Sequence, residues 1–184
     1  MNLEQIKALM PEYARDIKLN LSTVLGGTGT PGLTEAQALG TALASAVAVQ
    51  SNALADAVEE VAGDRLDPAR RNAARAAAAV MAMNNVYYRF THFVGDDEYR
   101  KLPARLRMNV IGNPGIDKAE FELYSLAVSA INGCEFCIQA HEKVVRNADI
   151  GREGVQSAAR IAAVIAAAAG VLATVPAAET AAAA

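Results

Sequence analysis

The chain of 184 residues has no tryptophan, only two cysteines and two histidines, and aromatic residues make up just 5% of it. With so few aromatic side chains, the core must be built from alanine, leucine, valine and isoleucine. The hydrophobic content of 53%, much of it alanine, favours closely packed helices. The 17 basic and 20 acidic residues give a net charge of −3. That balance is not typical of a nucleic-acid-binding protein, and the sequence has no basic tract that would indicate one.

The chain also lacks a long, strongly apolar run. Polar and acidic residues interrupt the segment from Met1 to Lys7, which therefore does not resemble a secretory signal. The apolar stretch 161–175 is shorter than the roughly 20 residues that span a bilayer. We interpret it as a buried helix or an oligomer contact. These features predict a cytoplasmic protein without membrane contact, in which paired cysteines favour redox or metal chemistry over a structural disulfide.

Helix signals recur along the first half of the chain, and strand signals do not. Pro11 is expected in a first helical turn. Thr34 and Gln37 form a capping box that opens a helix. Gly63 is expected to end a helix, and Asp67 to cap the start of a long alanine-rich one. This pattern predicts an all-α fold.

The second half continues the helical pattern after an irregular segment that is rich in glycine and proline. Asp117 and Glu120 are interpreted as a second capping box. Asn132-Gly133 is expected to end that helix, and the next begins near Cys134. Gly151 precedes a last helix.

These elements predict a single helical domain over residues 1–175, followed by a disordered alanine-rich tail at 176–184. A faint internal repeat is compatible with two degenerate helical repeats. In it, the segment from Arg75 to Tyr88 resembles the segment from Leu123 to Phe136 at a constant offset.

The most specific pattern is Cys134-Glu135-Phe136-Cys137, followed one helical turn later by His141. A Cys-x-x-Cys pair can cycle between dithiol and disulfide. At a helix start, the free N–H groups and the helix dipole favour the thiolate of Cys134. Positions 134, 137 and 141 share one helix face, so His141 can exchange protons with Cys137.

Glu122 is the second candidate for proton transfer, because it interrupts an apolar stretch of the preceding helix. If the chain reverses at Asn132-Gly133, a rise of ~1.5 Å per residue orders Cys137, His141 and Glu122 along one seam. The constellation predicts peroxide reduction. One sulfur becomes a sulfenic acid, the other closes a disulfide, and the histidine–glutamate pair supplies the proton for the departing alkoxide.

Other interpretations of the cysteines stay open. A zinc site would need more donors, and His92 and His141 are the only histidines. A c-type haem motif does not fit, because it requires histidine directly after Cys137, where this chain has Ile138. A thioredoxin does not fit either, because it requires strands around its motif and the flanks here are helical. Two inert buried cysteines are also compatible with the pattern.

The remaining clusters are interpreted as structural. Met81 and Met83 are expected in the core with Tyr87 and Tyr88, and His92 is expected at a helix end or surface. Three arginines are expected to form a solvated or subunit-facing stripe: Arg70, Arg71 and Arg75.

The residues also resemble a known family. The stretch from Phe121-Glu122-Leu123 to Cys134-x-x-Cys137-x-x-x-His141-Glu142 is similar to the alkyl hydroperoxidase D family, within the carboxymuconolactone decarboxylase-like superfamily. The resemblance covers nearly the whole chain. It includes Pro11 to Leu21, Met83 to Tyr87 and Met108 to Ile116.

The resemblance implies an all-helical homotrimer and a thiol peroxidase with no bound cofactor or metal. Cys137 would form the sulfenic acid, and Cys134 would donate the proton and close the disulfide. Glu122 and His141 match the positions of the family's proton relay. Electrons would come from dihydrolipoamide on a lipoyl-bearing protein. They could pass to a partner peroxiredoxin, alkyl hydroperoxide reductase C, through an interchain disulfide with Cys137.

One residue departs from the family pattern. Members can carry histidine just before the second cysteine, where this chain has Phe136, so any thiolate stabilisation from that histidine is missing. This affects the rate more than the reaction. Two alternatives remain: a decarboxylase-like enzyme with incidental cysteines, and a non-enzymatic oligomeric or zinc-binding helical module.

Overall fold

The computed structural model describes residues 1–176, which contain ten α-helices, two short 3-10 helices and no β-strand. The all-α prediction is confirmed. The 3-10 helices are Glu12–Ala14 and Gly63–Arg65. The α-helices are α1 (Leu3–Leu9), α2 (Arg15–Leu25), α3 (Glu35–Ala48), α4 (Asn52–Ala62), α5 (Pro68–Phe93), α6 (Glu98–Lys101), α7 (Asn109–Gly112), α8 (Lys118–Ile131), α9 (Glu135–Asn147) and α10 (Arg152–Leu172).

The long helices begin where the sequence carries capping signals. Before α3, the Thr34 hydroxyl accepts the N–H of Gln37 at 3.2 Å, and the Gln37 side chain accepts the N–H of Thr34 at 2.9 Å. Before α5, Asp67 accepts the N–H of Arg70 at 2.9 Å. Gly133 turns the chain before α9 with a φ of 64°, which glycine adopts without strain.

Two features near the N-terminus differ from expectation. Pro11 caps the short 3-10 helix, and α2 begins only at Arg15, so the proline lies outside the first turn of that helix. The helix α1 does not correspond to any predicted helix. The sequence signal for its start is a capping box formed by Asn2 and Gln5.

The faint repeat has no structural counterpart. Arg75 to Tyr88 lies inside α5, whereas Leu123 to Phe136 crosses from α8 through a turn into α9. Alanine-rich helical segments resemble one another in composition without sharing a supersecondary structure. Of the predicted tail at 176–184, residues 177–184 lie outside the described residues.

The central helix is α8, which packs against α3, α5, α9 and α10. Every residue from 120 to 129 is buried. Phe121, Tyr124 and Val128 join the main core, together with Leu39 and Leu43 of α3. Because protein surrounds α8, its polar side chains must find partners inside the molecule.

Within residues 1–176, α10 is the one helix long and apolar enough to cross a membrane by length and composition. Its Ile161, Ile165 and Ala168 are buried in the main core. The helix packs against α2, α3 and α8, so one face of this stretch is buried within the chain, while an oligomer contact through the rest stays a prediction. The cytoplasmic location stays a prediction.

Candidate active site

The two cysteines lie at the start of α9 as a pair of free thiols. Cys134 is the N-cap residue and Cys137 follows one turn later, so both side chains face the interior. The Cys134 thiol donates a hydrogen bond to the sulfur of Cys137 at 2.6 Å. A small displacement would bring the sulfurs to disulfide bonding distance. Cys134 is fully buried, while 4% of Cys137 is exposed.

Burial in the first place, together with the contact with Cys134, raises the pKa of the Cys137 thiol to about 12. The neighbouring Asn85 side chain opposes this shift by favouring the thiolate. Asn85 is itself fixed, because its Nδ2 donates to Ser129 at 3.0 Å and its Oδ1 accepts from Asn132 at 2.9 Å. Reduced Cys137 is therefore a thiol at neutral pH, and its proton must leave when the sulfur attacks.

A histidine–carboxylate pair lies farther along α9, where this helix packs against α8. Nδ1 of His141 on α9 lies 2.5 Å from Oε2 of Glu122 on α8, and both residues are buried. The turn at Asn132-Gly133 brings the two helices together. The structure thus joins the two residues that the hairpin argument placed on one seam, while their chemical roles stay predictions.

The other ring nitrogen of His141 faces a side chain that sequence reasoning assigned only to the core. Nε2 lies 3.2 Å from the Met81 sulfur, which is 60 residues away in the chain. A thioether can only accept, so this contact is a hydrogen bond in the tautomer that carries the hydrogen on Nε2. In that tautomer the exchangeable proton of the pair lies between Nδ1 and Glu122. In residues 1–176, no hydrogen bond joins His141 to Cys134 or Cys137.

A second buried carboxylate, Glu120, lies on α8 in a different setting. The Tyr124 hydroxyl donates to its Oε1 at 2.5 Å, and Nε of Arg70 donates to the same oxygen at 2.8 Å. Asp117 does cap the N–H of Glu120 at 3.1 Å. The predicted capping box is nevertheless wrong in its second half, because the Glu120 side chain binds Arg70 and Tyr124 and does not return to the helix start.

These contacts shift the pKa of both donors. Burial raises the pKa of Tyr124, and the hydrogen bond to Glu120 adds to the effect. The hydrogen bond to Glu120 is also the main cause of the raised pKa of Arg70, followed by the one to Asp67. Both groups therefore stay protonated at neutral pH as donors to the Glu120 carboxylate.

The expected arginine stripe is solvated only at Arg75, because Arg70 and Arg71 are partly buried. The subunit-facing alternative stays a prediction. Arg70 ties α5 to α8 through Glu120. Arg71 donates to Glu59 and to backbone carbonyls between α4 and α5, and Arg75 donates to Glu59 at 3.0 Å. Arg70 pairs with Glu120, 50 residues away, and Arg71 pairs with Glu59, 12 residues away, so no local sequence pattern predicts these two ion pairs.

Aromatic residues surround the surface end of the cysteine motif. Phe136, between the two cysteines, is 54% exposed and stacks on Tyr88 with ring centroids 5.4 Å apart. His92, at the end of α5, lies 2.9 Å from Arg100 and 3.4 Å from Glu135. Tyr88 was expected in the core, but it is half-buried and faces this surface.

The zinc alternative requires several donor side chains close together. Across residues 1–176, no three side chains of histidine, cysteine, aspartate or glutamate come together in a group that could hold a metal ion. His141 is engaged with Glu122, and His92 with Arg100 and Glu135. The described residues thus offer no donor set for zinc.

Comparisons with known proteins agree on one family. Residues 97–180 match the Carboxymuconolactone decarboxylase family. The chain is 51% identical over 174 residues to a protein of Rhizorhabdus wittichii named alkyl hydroperoxide reductase AhpD, covering 95% of this chain and 99% of the relative. Proteins of the same name from Hyphomonas neptunium and Streptomyces coelicolor are 52% and 51% identical. These alignments cover 94% of both chains for the former, and 90% of this chain and 91% of the relative for the latter.

Proposed function

The chain belongs to the alkyl hydroperoxide reductase AhpD family, and we propose that it reduces alkyl hydroperoxides through a dithiol–disulfide cycle of Cys134 and Cys137. The observation that carries this proposal is the site itself: two thiols in hydrogen-bond contact, on the same helix as a buried histidine paired with a glutamate. Such a site holds two sulfur-borne electrons and a transferable proton in one enclosed space.

The cycle has three steps. In the first, the sulfur of Cys137 attacks the outer oxygen of the hydroperoxide, the O–O bond breaks, and the alcohol leaves with a proton, which gives a sulfenic acid. In the second, the Cys134 thiol attacks that sulfur and expels water, which leaves a disulfide. In the third, an external dithiol exchanges with the disulfide, becomes oxidised itself and returns both thiols.

The assignment of Cys137 as the attacking sulfur is supported by its slight exposure, since Cys134 has none. Because Cys137 is a thiol at neutral pH, its proton must be taken up and passed to the departing alkoxide. Glu122 and His141 are the group that we assign to this transfer. As no hydrogen bond links them to the sulfurs, the path requires either the bound hydroperoxide or a turn of the His141 ring away from Met81.

We further propose the reductant and the partners that the family resemblance implies. Dihydrolipoamide on a lipoyl-bearing protein is an external dithiol that suits the third step. The disulfide electrons can also pass to a peroxiredoxin, alkyl hydroperoxide reductase C, through a mixed disulfide with Cys137. Neither role requires a bound cofactor.

The proposed assembly is a homotrimer. Several large apolar side chains outside the cysteine region are exposed on this single chain, which is compatible with subunit contacts: Tyr13, Leu19, Val86 and Phe90. Sedimentation equilibrium at micromolar concentration is expected to give three times the chain mass. A monomer would contradict the proposal.

A dihydrolipoamide-coupled peroxide assay tests the function. We expect peroxide-dependent loss of two thiols per chain, and no turnover in Cys134→Ser or Cys137→Ser, because the cycle needs both sulfurs. A sulfenic acid trap is expected to label Cys134→Ser and not Cys137→Ser. The reverse labelling would exchange the two roles. A wild-type protein that loses no thiols on exposure to peroxide would favour the decarboxylase-like alternative, in which the cysteines are incidental.

A further inference from the structure

An open cavity of about 390 Å³ lies between α5, the segment after α6 and the start of α9. Its apolar walls include Tyr87 and Tyr88 on one side, Tyr99 and Leu102 on the other, and Phe136 at the end nearest the cysteines. We call it the aromatic groove. Its volume falls within the ~300–1,000 Å³ that is usual for small-molecule sites.

The aromatic groove reaches the residue next to the reactive cysteine. Phe136, which lines the groove, directly precedes Cys137 in the chain and stacks on Tyr88 with an angle of 27° between the rings. Burial raises the pKa of Tyr88, and the charges of Tyr87 and Cys137 contribute in the same direction.

Resting on the function proposed above, we propose that the aromatic groove binds the organic group of the hydroperoxide, and that Phe136 and Leu102 set a preference for bulky apolar hydroperoxides. An aryl or branched alkyl group seated against Phe136 and Tyr88 would leave its peroxide oxygens beside Cys137. Hydrogen peroxide has no such group and gains nothing from the walls. Among the polar residues that line the groove, Arg100 and His92 are bonded to each other at 2.9 Å, and the Thr91 hydroxyl donates to the Tyr88 carbonyl at 3.0 Å. The walls therefore offer mainly apolar and aromatic contact.

The test compares cumene hydroperoxide with hydrogen peroxide at saturating dihydrolipoamide. The readout is the ratio of the two kcat/KM values, which cancels any effect on the sulfur chemistry common to both. We expect wild type to prefer cumene hydroperoxide. Phe136→Ala and Leu102→Ala should each lower the ratio by roughly tenfold, the usual consequence of removing an apolar contact from a substrate pocket. Phe93→Ala changes an exposed aromatic residue of α5 that does not line the groove, and it should leave the ratio as it is.

Three results would overturn the inference. The first is an unchanged ratio in both groove variants. The second is a loss confined to the kcat/KM of dihydrolipoamide, since the groove would then hold the reductant. The third is dissociation of the oligomer in both groove variants with the peroxide ratio intact, since the groove would then hold a second copy of the chain. Failure of the proposed function itself looks different, because wild type would then reduce neither peroxide.

Discussion

Glu120 and Glu122 are two carboxylates on one helix, two residues apart and equally buried at 4% exposure, yet they have different partners. Glu120 is held by a guanidinium and a phenol that keep their protons at neutral pH. Glu122 is held by an imidazole, a group that can release and accept a proton near neutrality. Burial alone therefore does not make a carboxylate a proton carrier, because the partner decides whether the proton can move.

The two settings follow from helix geometry. Residues two apart project to different sides of α8, so Glu120 faces α5 while Glu122 faces α9. The side of Glu120 is closely packed: Tyr124 lies over Gly40 of α3, where an added Cβ would come within 2.1 Å of the phenol oxygen. The cluster around Glu120 joins three helices. The pair at Glu122 joins α8 to α9, the helix that carries the cysteines.

The largest effect that separates the two carboxylates is expected in catalysis. Glu122→Gln and His141→Gln should each slow peroxidase turnover by about 10²–10⁴-fold, the usual contribution of a positioned acid–base group. Glu142→Gln, next to His141 but only loosely paired with Arg146 at 3.8 Å, is the matched control and should stay near the wild-type rate. Steady-state rates with circular dichroism as a folding check are the measurement, and a near-wild-type Glu122→Gln would remove this residue from the mechanism.

The second expectation concerns how the two groups act together. In the proposed mechanism Glu122 and His141 share one proton path, so the double variant Glu122→Gln/His141→Gln should be little worse than the slower single variant. The same steady-state assay measures this. Fully multiplicative losses would mean that the two groups work independently.

The sequence predicted Glu122 and misassigned Glu120 for a physical reason. Glu122 interrupts an apolar stretch, and its partner lies across one short turn, so helical rise alone brings the pair together. Glu120 also fits the local spacing of a capping box, and only Arg70, 50 residues earlier, reveals that its side chain turns elsewhere.

The same limit applies to the rest of the site. Capping residues such as Thr34 and Asp67 act locally, so the helices that they begin could be predicted from the sequence. Met81 against His141 and Tyr88 against Phe136 are contacts between α5 and α9, whose packing no local pattern encodes. The all-α class was therefore predictable, while the walls of the site were not.

A smaller effect, on stability, should appear on the Glu120 side. Tyr124→Phe removes the hydrogen bond to Glu120 at 2.5 Å and should lower the free energy of unfolding by about 2 kcal/mol, since the lost bond is to a charged group. Urea denaturation gives the stability, and the peroxidase rate of the folded variant should stay close to wild type. A rate as low as that of Glu122→Gln would break the distinction between the two carboxylates.

The smallest effect is expected at Ser125, one turn from each region. Its hydroxyl is fully buried and has no hydrogen-bond partner in the described part of the chain. Ser125→Ala should therefore leave the unfolding free energy unchanged or raise it by up to about 1 kcal/mol. Ser129→Ala, whose hydroxyl accepts from Asn85 at 3.0 Å, is the control and should cost about 1 kcal/mol in the same urea titration. Equal losses in both variants would show that Ser125 has a partner after all.

The central claim is that Glu122 serves the cysteines while Glu120 serves the fold, and single-turnover oxidation tests it most directly. Reduced protein is mixed with hydrogen peroxide, quenched with a thiol-alkylating reagent at set times, and its intact mass gives the fraction with a closed disulfide. Glu120→Gln is expected to close the Cys134–Cys137 disulfide within about threefold of the wild-type rate, and Glu122→Gln at least ~100-fold more slowly. Equal rates in the two variants would contradict the account.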